Sequence, residues 1–171
     1  MNALTGLPAQ IRADCRVLVM GSMPGTRSLE QARYYAHPRN RFWPLMGILC
    51  GIDPQAGYPE RLAQLQQAGV GLWDVLARCQ RQGSLDAAIR RDSIEVVPLL
   101  PLLDHLPQLT LIACNGATAS QLFQRHLWPW LHQARPALAW LALPSTSPAN
   151  AGWSLDRLQA SWSSIVPALP G

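Results

Sequence analysis

The sequence predicts an α/β fold, a three-layer α/β/α sandwich with a central, mainly parallel four-stranded sheet. Four short apolar runs have the length and composition of strands that are buried on both faces. Segments with helical spacing of apolar residues lie between these runs, as the crossover connections of a parallel sheet require. No internal repeat and no linker-like stretch interrupts the chain, so residues 1–171 are predicted to form a single domain.

The four predicted strands end at turns that contain glycine, proline or polar residues. They cover residues 16–20, 71–77, 109–114 and 137–143. Because ligands of open α/β sheets bind beyond the carboxyl ends of the strands, the loops that begin there form the candidate site. These loops start at Gly21, Asp74, Asn115 and Pro144.

The predicted helices follow from turn residues and apolar spacing. Four helices are expected. The first follows the turn at 21–26 and continues through 34, and the others lie at 42–50, at 59–68 and from 115–116 through 126. In the last segment, apolar residues recur every three or four positions, which predicts an amphipathic helix packed on the core. The apolar residues of that helix are Leu155, Leu158, Trp162, Ile165 and Val166.

Composition excludes several classes of protein. Hydrophobic residues make up 49% of the chain and charged residues 14%, which excludes a disordered chain. No apolar run reaches the roughly 18 residues of a membrane helix, and the first residues lack a signal-peptide core. We therefore expect a cytoplasmic protein with no membrane partner. The four cysteines form no CxxC pair, which argues against zinc and iron–sulfur sites, and we expect mostly buried thiols, no metal and no cofactor.

The positive charge is concentrated near the first predicted helix. The formal net charge is +4, and all 14 basic residues are arginines. Arg27, Arg33, Arg39 and Arg41 fall in one short stretch that contains a single acid, Glu30. Guanidinium groups bind phosphate oxygens in fork geometry, although a solvated helix face is the alternative.

The segment Tyr34-Tyr-Ala-His-Pro-Arg-Asn-Arg-Phe-Trp43 combines aromatic, basic and amide side chains. Aromatic rings stack on bases and arginines neutralise phosphates, so this mixture is typical of nucleic-acid binding. Phe42 and Trp43 are alternatively core residues of the following helix. His37 is either a phosphate contact or a structural ring, and we favour the structural role.

Two predicted loops have the small residues that allow close approach to a ligand. Gly21-Ser-Met-Pro-Gly25 lacks the lysine of a P-loop and the GxGxxG of a dinucleotide site, so it is a strand-to-helix turn that exposes backbone N–H groups. Residues 144–151 are rich in small hydroxyl side chains, and Ser145, Thr146 and Ser147 are candidates for binding DNA phosphates.

In the order and spacing of these motifs, the chain resembles the uracil-DNA glycosylase superfamily along nearly its whole length. In the mismatch-specific uracil/thymine branch, a strand is followed by a G-I-N-P-G loop and by F-A-H-P-x-N-R-F-W. The corresponding residues here are Gly21-Ser-Met-Pro-Gly25 and Tyr35-Ala-His-Pro-Arg-Asn-Arg-Phe-Trp43. The family's G-I-T-N strand end corresponds to Gly71-Leu-Trp-Asp74, and its late P-S loop, which enters the minor groove, corresponds to Pro144-Ser145.

Three departures from the family pattern indicate the branch. Met23 occupies the position of the catalytic Asn or Asp of the first loop, Leu143 replaces a His, and Asp74 replaces the Asn that reads uracil. An uncharged first loop with an intact H-P-x-N-R-F-W resembles the hypoxanthine-DNA glycosylase branch, which excises the base of deoxyinosine. In that branch the Asn of H-P-x-N is catalytic, which implies that role for Asn40; a helix N-cap is its structural alternative.

The resemblance also implies roles around the base. Tyr35 is expected either to stack on the flipped purine or to pack beneath the site. Backbone N–H groups of Ser22 and Met23 are expected to stabilise the leaving base. Asp74 would accept an N–H that hypoxanthine and uracil both offer, or act as a buried capping residue. Its pKa is expected to be raised if it is buried.

The expected function is that of a monofunctional hydrolase of base excision repair that removes hypoxanthine from DNA. Uracil or uracil/thymine excision is the enzymatic alternative, and a non-catalytic DNA- or nucleotide-binding module is the alternative of another class. Because the chain has no lysine, we expect no Lys-based lyase step. The expected partner is damaged DNA, with Arg39 and Arg41 on its phosphates, bound by a monomer that associates with the nucleoid. Residues 145–150 lack the bulky wedge typical of such proteins.

Overall fold

A computed structural model describes residues 3–171. In chain order its strands are β1 (Ala3–Thr5), β2 (Val17–Gly21), β3 (Val70–Asp74), β4 (Leu76–Gln80), β5 (Glu95–Val96), β6 (Leu111–Asn115) and β7 (Ala139–Leu143). The helices are α1 (Thr26–Gln31), α2 (Phe42–Cys50), α3 (Tyr58–Gln67), α4 (Leu99–Leu102), α5 (Ala117–His126), α6 (Trp128–Ala134) and α7 (Leu155–Trp162). Short 3-10 turns cover 86–88, 91–93, 103–105 and 163–168.

The central sheet has four strands in the order β3-β2-β6-β7, and every neighbouring pair is parallel. All five residues of β2 are buried, because this strand is internal and is covered on both faces. Val17 and Val19 point into one core, and Leu18 and Met20 point into the other. The prediction of a three-layer sandwich around a parallel four-stranded sheet is therefore confirmed.

Two separate hydrophobic cores follow from this alternation. One lies between the sheet and α2, α3 and α7, and it is rich in aromatic rings such as Phe42, Trp43 and Trp162. The other lies between the sheet and α4, α5 and α6. Three cysteines are buried, as expected: Cys15, Cys79 and Cys114. In the part of the chain that the structure describes, no helix has the length and apolarity needed to span a bilayer.

The strand predicted at 71–77 is divided between two sheets. β3 ends at Asp74, and β4 joins a second, antiparallel sheet in the order β1-β4-β5. The chain changes direction at Val75, whose N–H donates to the Gly21 carbonyl at 2.8 Å, while Leu76 N–H donates to Ser22. One apolar run of the sequence therefore forms two strands. Val75 and Leu76 are both buried and apolar, so their side chains do not reveal the bend between the strands.

Two helix ends differ from the prediction. The helix expected to continue through Tyr34 ends at Gln31, because Ala32 adopts a left-handed conformation with φ 53°. The last helix ends at Trp162 and continues as a 3-10 turn, so Val166 is exposed although it continues the apolar spacing. Helix α6 was not predicted; its Trp128-Pro129 start is a helix-opening pattern, with proline in the first turn.

Trp162 connects the last helix to the loop that follows β7. Its side chain has no exposed surface, its indole N–H donates to the Pro144 carbonyl at 2.9 Å, and its ring meets Phe42 edge to face. This contact positions the first residue of a loop that lines the candidate site.

We predict that Trp162→Phe lowers the free energy of unfolding by about 2–3 kcal/mol, because the partly buried Pro144 carbonyl loses its donor and a small cavity opens in the core. Urea denaturation measures this change. Trp130 is 54% exposed, so the matched control Trp130→Phe should change stability by less than about 0.5 kcal/mol. Equal effects of the two substitutions would contradict the conclusion that Trp162 holds the loop after β7 in place.

Candidate active site

A cavity of about 1260 Å³ lies at the carboxyl edge of the central sheet. All four loops that the sequence predicted to carry the site contribute to its wall, through Gly21, Asp74, Asn115 and Pro144. Most of the predicted site residues also line it: Asn40, Ser22, Met23, Tyr35, Ser145, Thr146 and Ser147. Arg39 and Arg41 do not line this cavity. The sheet topology therefore brings distant motifs to one concave surface.

Asn40 lies just before helix α2 and is also a wall residue of the cavity. Its side-chain Oδ1 accepts a hydrogen bond from the Phe42 N–H at 2.9 Å, the first N–H of α2. Its backbone N–H donates to the His37 carbonyl at 2.9 Å. The Phe42 bond holds the carboxamide in one orientation, but the N-cap residue of α2 is Arg41, so the N-cap alternative for Asn40 is wrong by one position.

His37 shapes the turn that carries Asn40. Its ring Nδ1 accepts the Arg39 N–H at 3.1 Å, and the ring is half-buried between the main cavity and a smaller one. The ring thus satisfies a backbone donor of the turn, which agrees with the structural role favoured for it.

Tyr35 lies beneath the cavity with one face covered. Its ring stacks on Phe42 with centroids 4.0 Å apart and planes 22° from parallel. Its backbone has φ 55°, a left-handed conformation that is uncommon for a tyrosine. The hydroxyl is buried, and among residues 3–171 no hydrogen bond of good geometry satisfies it, although the Asn115 side chain lies near it. This orphaned polar atom has the chemistry to bind a polar ligand.

Asp74 is the second orphaned polar group. It is 4% exposed, and its Oδ2 is buried without a partner among the described residues. Burial raises the pKa of its carboxyl group to about 7, the negative charge of Asp86 adds to the increase, and Arg81 opposes it. The predicted direction of the shift is confirmed. A Cβ at Gly21 would overlap the Asp74 carboxylate, so only glycine fits at the end of β2.

The first loop is held by groups that sequence reasoning missed. The Ser22 hydroxyl donates to the Asp86 carboxylate at 2.6 Å. Arg81 is 4% exposed and donates to the carbonyls of Pro24 and Gly83, each at 2.7 Å. Met23 also lines the cavity, but its side chain is packed in the hydrophobic core. Little in the sequence indicates these contacts, because Pro24 and Ser22 lie 57 and 64 residues from Arg81 and Asp86.

The loop after β7 is closed by Asn115. The Asn115 amide donates to the Thr146 hydroxyl, and its Oδ1 accepts the Thr146 N–H, both at 3.0 Å. Thr146 has no exposed surface, so it holds the loop and does not present its side chain to DNA. The Ser145 hydroxyl accepts the Ser147 N–H at 3.1 Å, which forms a compact hydroxyl turn with both serines partly accessible.

The two arginines predicted to contact DNA occupy different environments. Arg39 is exposed. The Arg41 guanidinium donates instead to the carbonyls of Ser147, at 2.9 Å, and of Asn150 and Trp153. Arg41 therefore positions the loop in this structure, and its predicted phosphate contact would require it to release these carbonyls.

A smaller cavity of about 220 Å³ shares the wall formed by Tyr35, His37 and Asn40. Arg33 and Arg61 line it, with their guanidinium carbons 5.5 and 5.6 Å from the Tyr58 ring centroid. No acidic residue is among the described residues that line it. The positive patch foreseen near residue 33 thus extends through Arg61, which is distant in sequence. Within residues 3–171, no group of three or more potential metal ligands occurs.

We predict that Asp74→Asn flattens the pH dependence of stability. Asp74 ionises near pH 4 when unfolded and near pH 7 when folded, so its ionisation makes the native state less stable as the pH rises between these values. From pH 5 to pH 8 the wild-type free energy of unfolding should fall by roughly 2–3 kcal/mol relative to the variant. Urea denaturation across this range measures it, and exposed Asp104 provides the control Asp104→Asn, which should retain the wild-type profile. Parallel profiles for wild type and Asp74→Asn would contradict a buried Asp74 carboxyl group with a raised pKa.

Comparison with known proteins agrees with this geometry. The model of the Uracil DNA glycosylase superfamily matches residues 8–166. A hypoxanthine DNA glycosylase of Methanosarcina barkeri is 36% identical over 117 residues, which cover 68% of this chain and 73% of that protein. A hypoxanthine DNA glycosylase of Methanosarcina acetivorans is 31% identical over 161 residues, covering 94% and 96% of the two chains.

A solved structure shows the same fold. The solution NMR structure of a candidate uracil DNA glycosylase from Methanosarcina acetivorans superimposes with a TM-score of 0.79 at 30% identity, covering 96% of this chain and 97% of that one. The family model spans nearly the whole chain, and it includes every strand that lines the cavity. The chain belongs to the uracil DNA glycosylase superfamily.

Proposed function

We propose that this protein is a monofunctional DNA glycosylase of base excision repair, which hydrolyses the N-glycosidic bond of deoxyinosine and releases hypoxanthine. The observation that carries the proposal is the fixed carboxamide of Asn40 in the wall of the cavity. The two relatives described as hypoxanthine DNA glycosylases, 31% and 36% identical, favour this substrate over uracil.

The hydrogen bond from the Phe42 N–H to the Asn40 side chain supports a catalytic role. An amide cannot act as a strong base near pH 7, so it contributes by orientation and by its dipole. With Oδ1 already accepting the Phe42 N–H, its remaining lone pair can hold the attacking water or face the positive charge that develops at C1′. Because the carboxamide is already fixed, it does not have to reorganise when the bond breaks.

The two orphaned polar atoms are suited to reading the base. The Asp74 carboxylate can accept the N1–H of hypoxanthine, and the Tyr35 hydroxyl can donate to its carbonyl oxygen. Uracil offers the same pair of groups, so this readout accepts both deaminated bases. Backbone N–H groups of Ser22 and Met23 would face the charge of the leaving base. We also propose that the base stacks on the face of Tyr35 that Phe42 does not cover.

DNA is the proposed partner, and the flipped nucleotide would enter the cavity from the duplex. The hydroxyl turn of Ser145 and Ser147 would bind phosphates, with Thr146 as its buried support. Arg39 would neutralise a phosphate directly, whereas Arg41 would act by holding the loop. We further propose that the protein acts as a monomer, without a metal or another cofactor, in the cytoplasm at the nucleoid.

We predict that Asn40→Ala reduces the single-turnover excision of hypoxanthine by about 100-fold or more, because water and charge are no longer oriented. Gel assays with a deoxyinosine oligonucleotide measure the rate, and a binding assay should show that affinity for DNA persists. Asn40→Ser is the matched variant, because a serine hydroxyl can still accept the Phe42 N–H but lacks the carboxamide. It should keep wild-type stability and lose activity. Recovery of activity with serine would leave Asn40 with a structural role alone.

The same gels report on the product and on the alternatives. Without lysine, the proposed product is an intact strand with an abasic site, so cleavage should require alkali. A panel with inosine, uracil and xanthine separates the candidate activities. Excision of uracil alone would favour the uracil alternative. Binding without excision of any damaged base would favour the non-catalytic module.

We predict that Arg39→Gln reduces the salt dependence of DNA binding, because each lost phosphate contact lowers the slope of log affinity against log salt by about one. Titrations of the duplex at several salt concentrations measure the slope. Arg125 is exposed on α5 and does not line the cavity, so Arg125→Gln is the control and should leave the slope unchanged. Unchanged slopes for both variants would place Arg39 away from the DNA.

A further inference from the structure

Leu85 is the most exposed large apolar side chain in the described part of the chain. Among residues 3–171, five such side chains are well exposed: Ile48 (47%), Leu85 (60%), Leu100 (38%), Trp130 (54%) and Val166 (41%). Of these five, Leu85 alone lines the main cavity. Single exposed apolar residues are ordinary on protein surfaces, but one at the mouth of a binding cavity can contact the ligand.

The loop that carries Leu85 is fixed on both sides of it. The Ser84 hydroxyl accepts the Thr26 N–H at 2.9 Å and donates to the Thr26 hydroxyl at 2.8 Å. On the other side, the Asp86 carboxylate accepts from Ser22 at 2.6 Å. Upstream, Arg81 donates to the Gly83 carbonyl. The backbone is therefore held to the loop that follows β2, while the leucine side chain itself remains exposed.

The loop after β7 offers no comparable side chain. Between residues 145 and 150 the apolar side chains are those of Pro148 and Ala149, which are too small to fill the space of a nucleotide. The large ring nearby, Trp153, is only partly exposed, and the Arg157 guanidinium covers it 4.0 Å from its centroid. The usual source of an apolar wedge is thus missing from this loop.

The two loops border different parts of the cavity. The Leu85 loop is bonded to the loop after β2, whereas residues 145–150 follow β7 and contact Asn115 at the end of β6 and Arg41. In the strand order β3-β2-β6-β7, β6 lies between β2 and β7, so the two loops are separated along the carboxyl edge of the sheet. A duplex seated over the cavity would meet the hydroxyl turn and Leu85 at separate points.

From these observations we propose that Leu85 is the wedge of this protein, an apolar side chain that enters the base stack and occupies the space left by the flipped nucleotide. The inference rests on the proposed DNA glycosylase function. Leu85 makes no bond to the reacting atoms, so it acts as a positioning residue. It stabilises the extruded state, because an apolar side chain fills the gap that water would otherwise enter.

The experiment compares Leu85→Ala with wild type on double-stranded and single-stranded oligonucleotides that carry deoxyinosine. In duplex DNA the base must be extruded, so single-turnover excision should fall about tenfold or more. In single-stranded DNA no stack has to be opened, so the variant should retain the wild-type rate. Leu85→Met, which restores a flexible apolar side chain, should recover most of the duplex activity. Ile48→Ala, at a site 47% exposed outside the cavity, is the control and should behave as wild type on both substrates.

A second experiment replaces the missing leucine side chain with a bulky group on the DNA. A pyrene nucleotide opposite deoxyinosine fills the space of the base pair and forces the lesion out, so it should restore excision by Leu85→Ala. Equal rates of wild type and Leu85→Ala on duplex DNA, or a loss of similar size on single strands, would overturn the wedge. If wild type excises no damaged base from either substrate, the proposed function itself fails, and the two failures are thus distinguishable.

Discussion

The candidate site depends on the contacts that Arg41 makes across the molecule. Its guanidinium donates to carbonyls of residues 147, 150 and 153, and its backbone N–H donates to the Thr146 carbonyl at 3.1 Å. These bonds join the N-terminus of α2, where Asn40 accepts the first helix N–H, to the loop that follows β7. A planar guanidinium with several donors can satisfy several carbonyls at once, which a lysine ammonium could not do in the same geometry. The cavity wall that contains Asn40 and the loop proposed to bind DNA are therefore held as one unit.

The floor of the cavity is polar and incompletely paired. Asp74, Asp86 and the buried guanidinium of Arg81 lie close enough for their charges to interact, and two acids there face one cation. Partial protonation of Asp74 relieves this imbalance, since its pKa is raised to about 7. Arg81 meanwhile satisfies its donors on loop carbonyls and not on a carboxylate. Orphaned buried polar atoms are costly in a folded protein, and their presence at the floor of a cavity is typical of a binding site.

Much of the fold and of the site could be predicted from the sequence, because both follow from local patterns. Buried strands and the rule that ligands bind at their carboxyl ends were enough to identify the four loops that line the cavity. The bend at Val75 could not be predicted, because it depends on a hydrogen bond to Gly21 across the sheet. The same limit applied to Arg41: its charge suggested phosphate, but its partners are carbonyls more than a hundred residues away. Side-chain contacts of this range have no signature in sequence spacing.

Met23 leaves the first loop without a polar side chain at its third position, while Asn40 brings an amide to the same cavity. The Met23 side chain packs into the core. A hydrolytic centre needs a fixed dipole near the glycosidic carbon, and the Asn40 carboxamide lines the cavity with its oxygen already oriented by the first N–H of α2. In the catalytic role proposed for Asn40, this bond has a second effect, because it removes rotational freedom that an isolated asparagine would have to lose during the reaction.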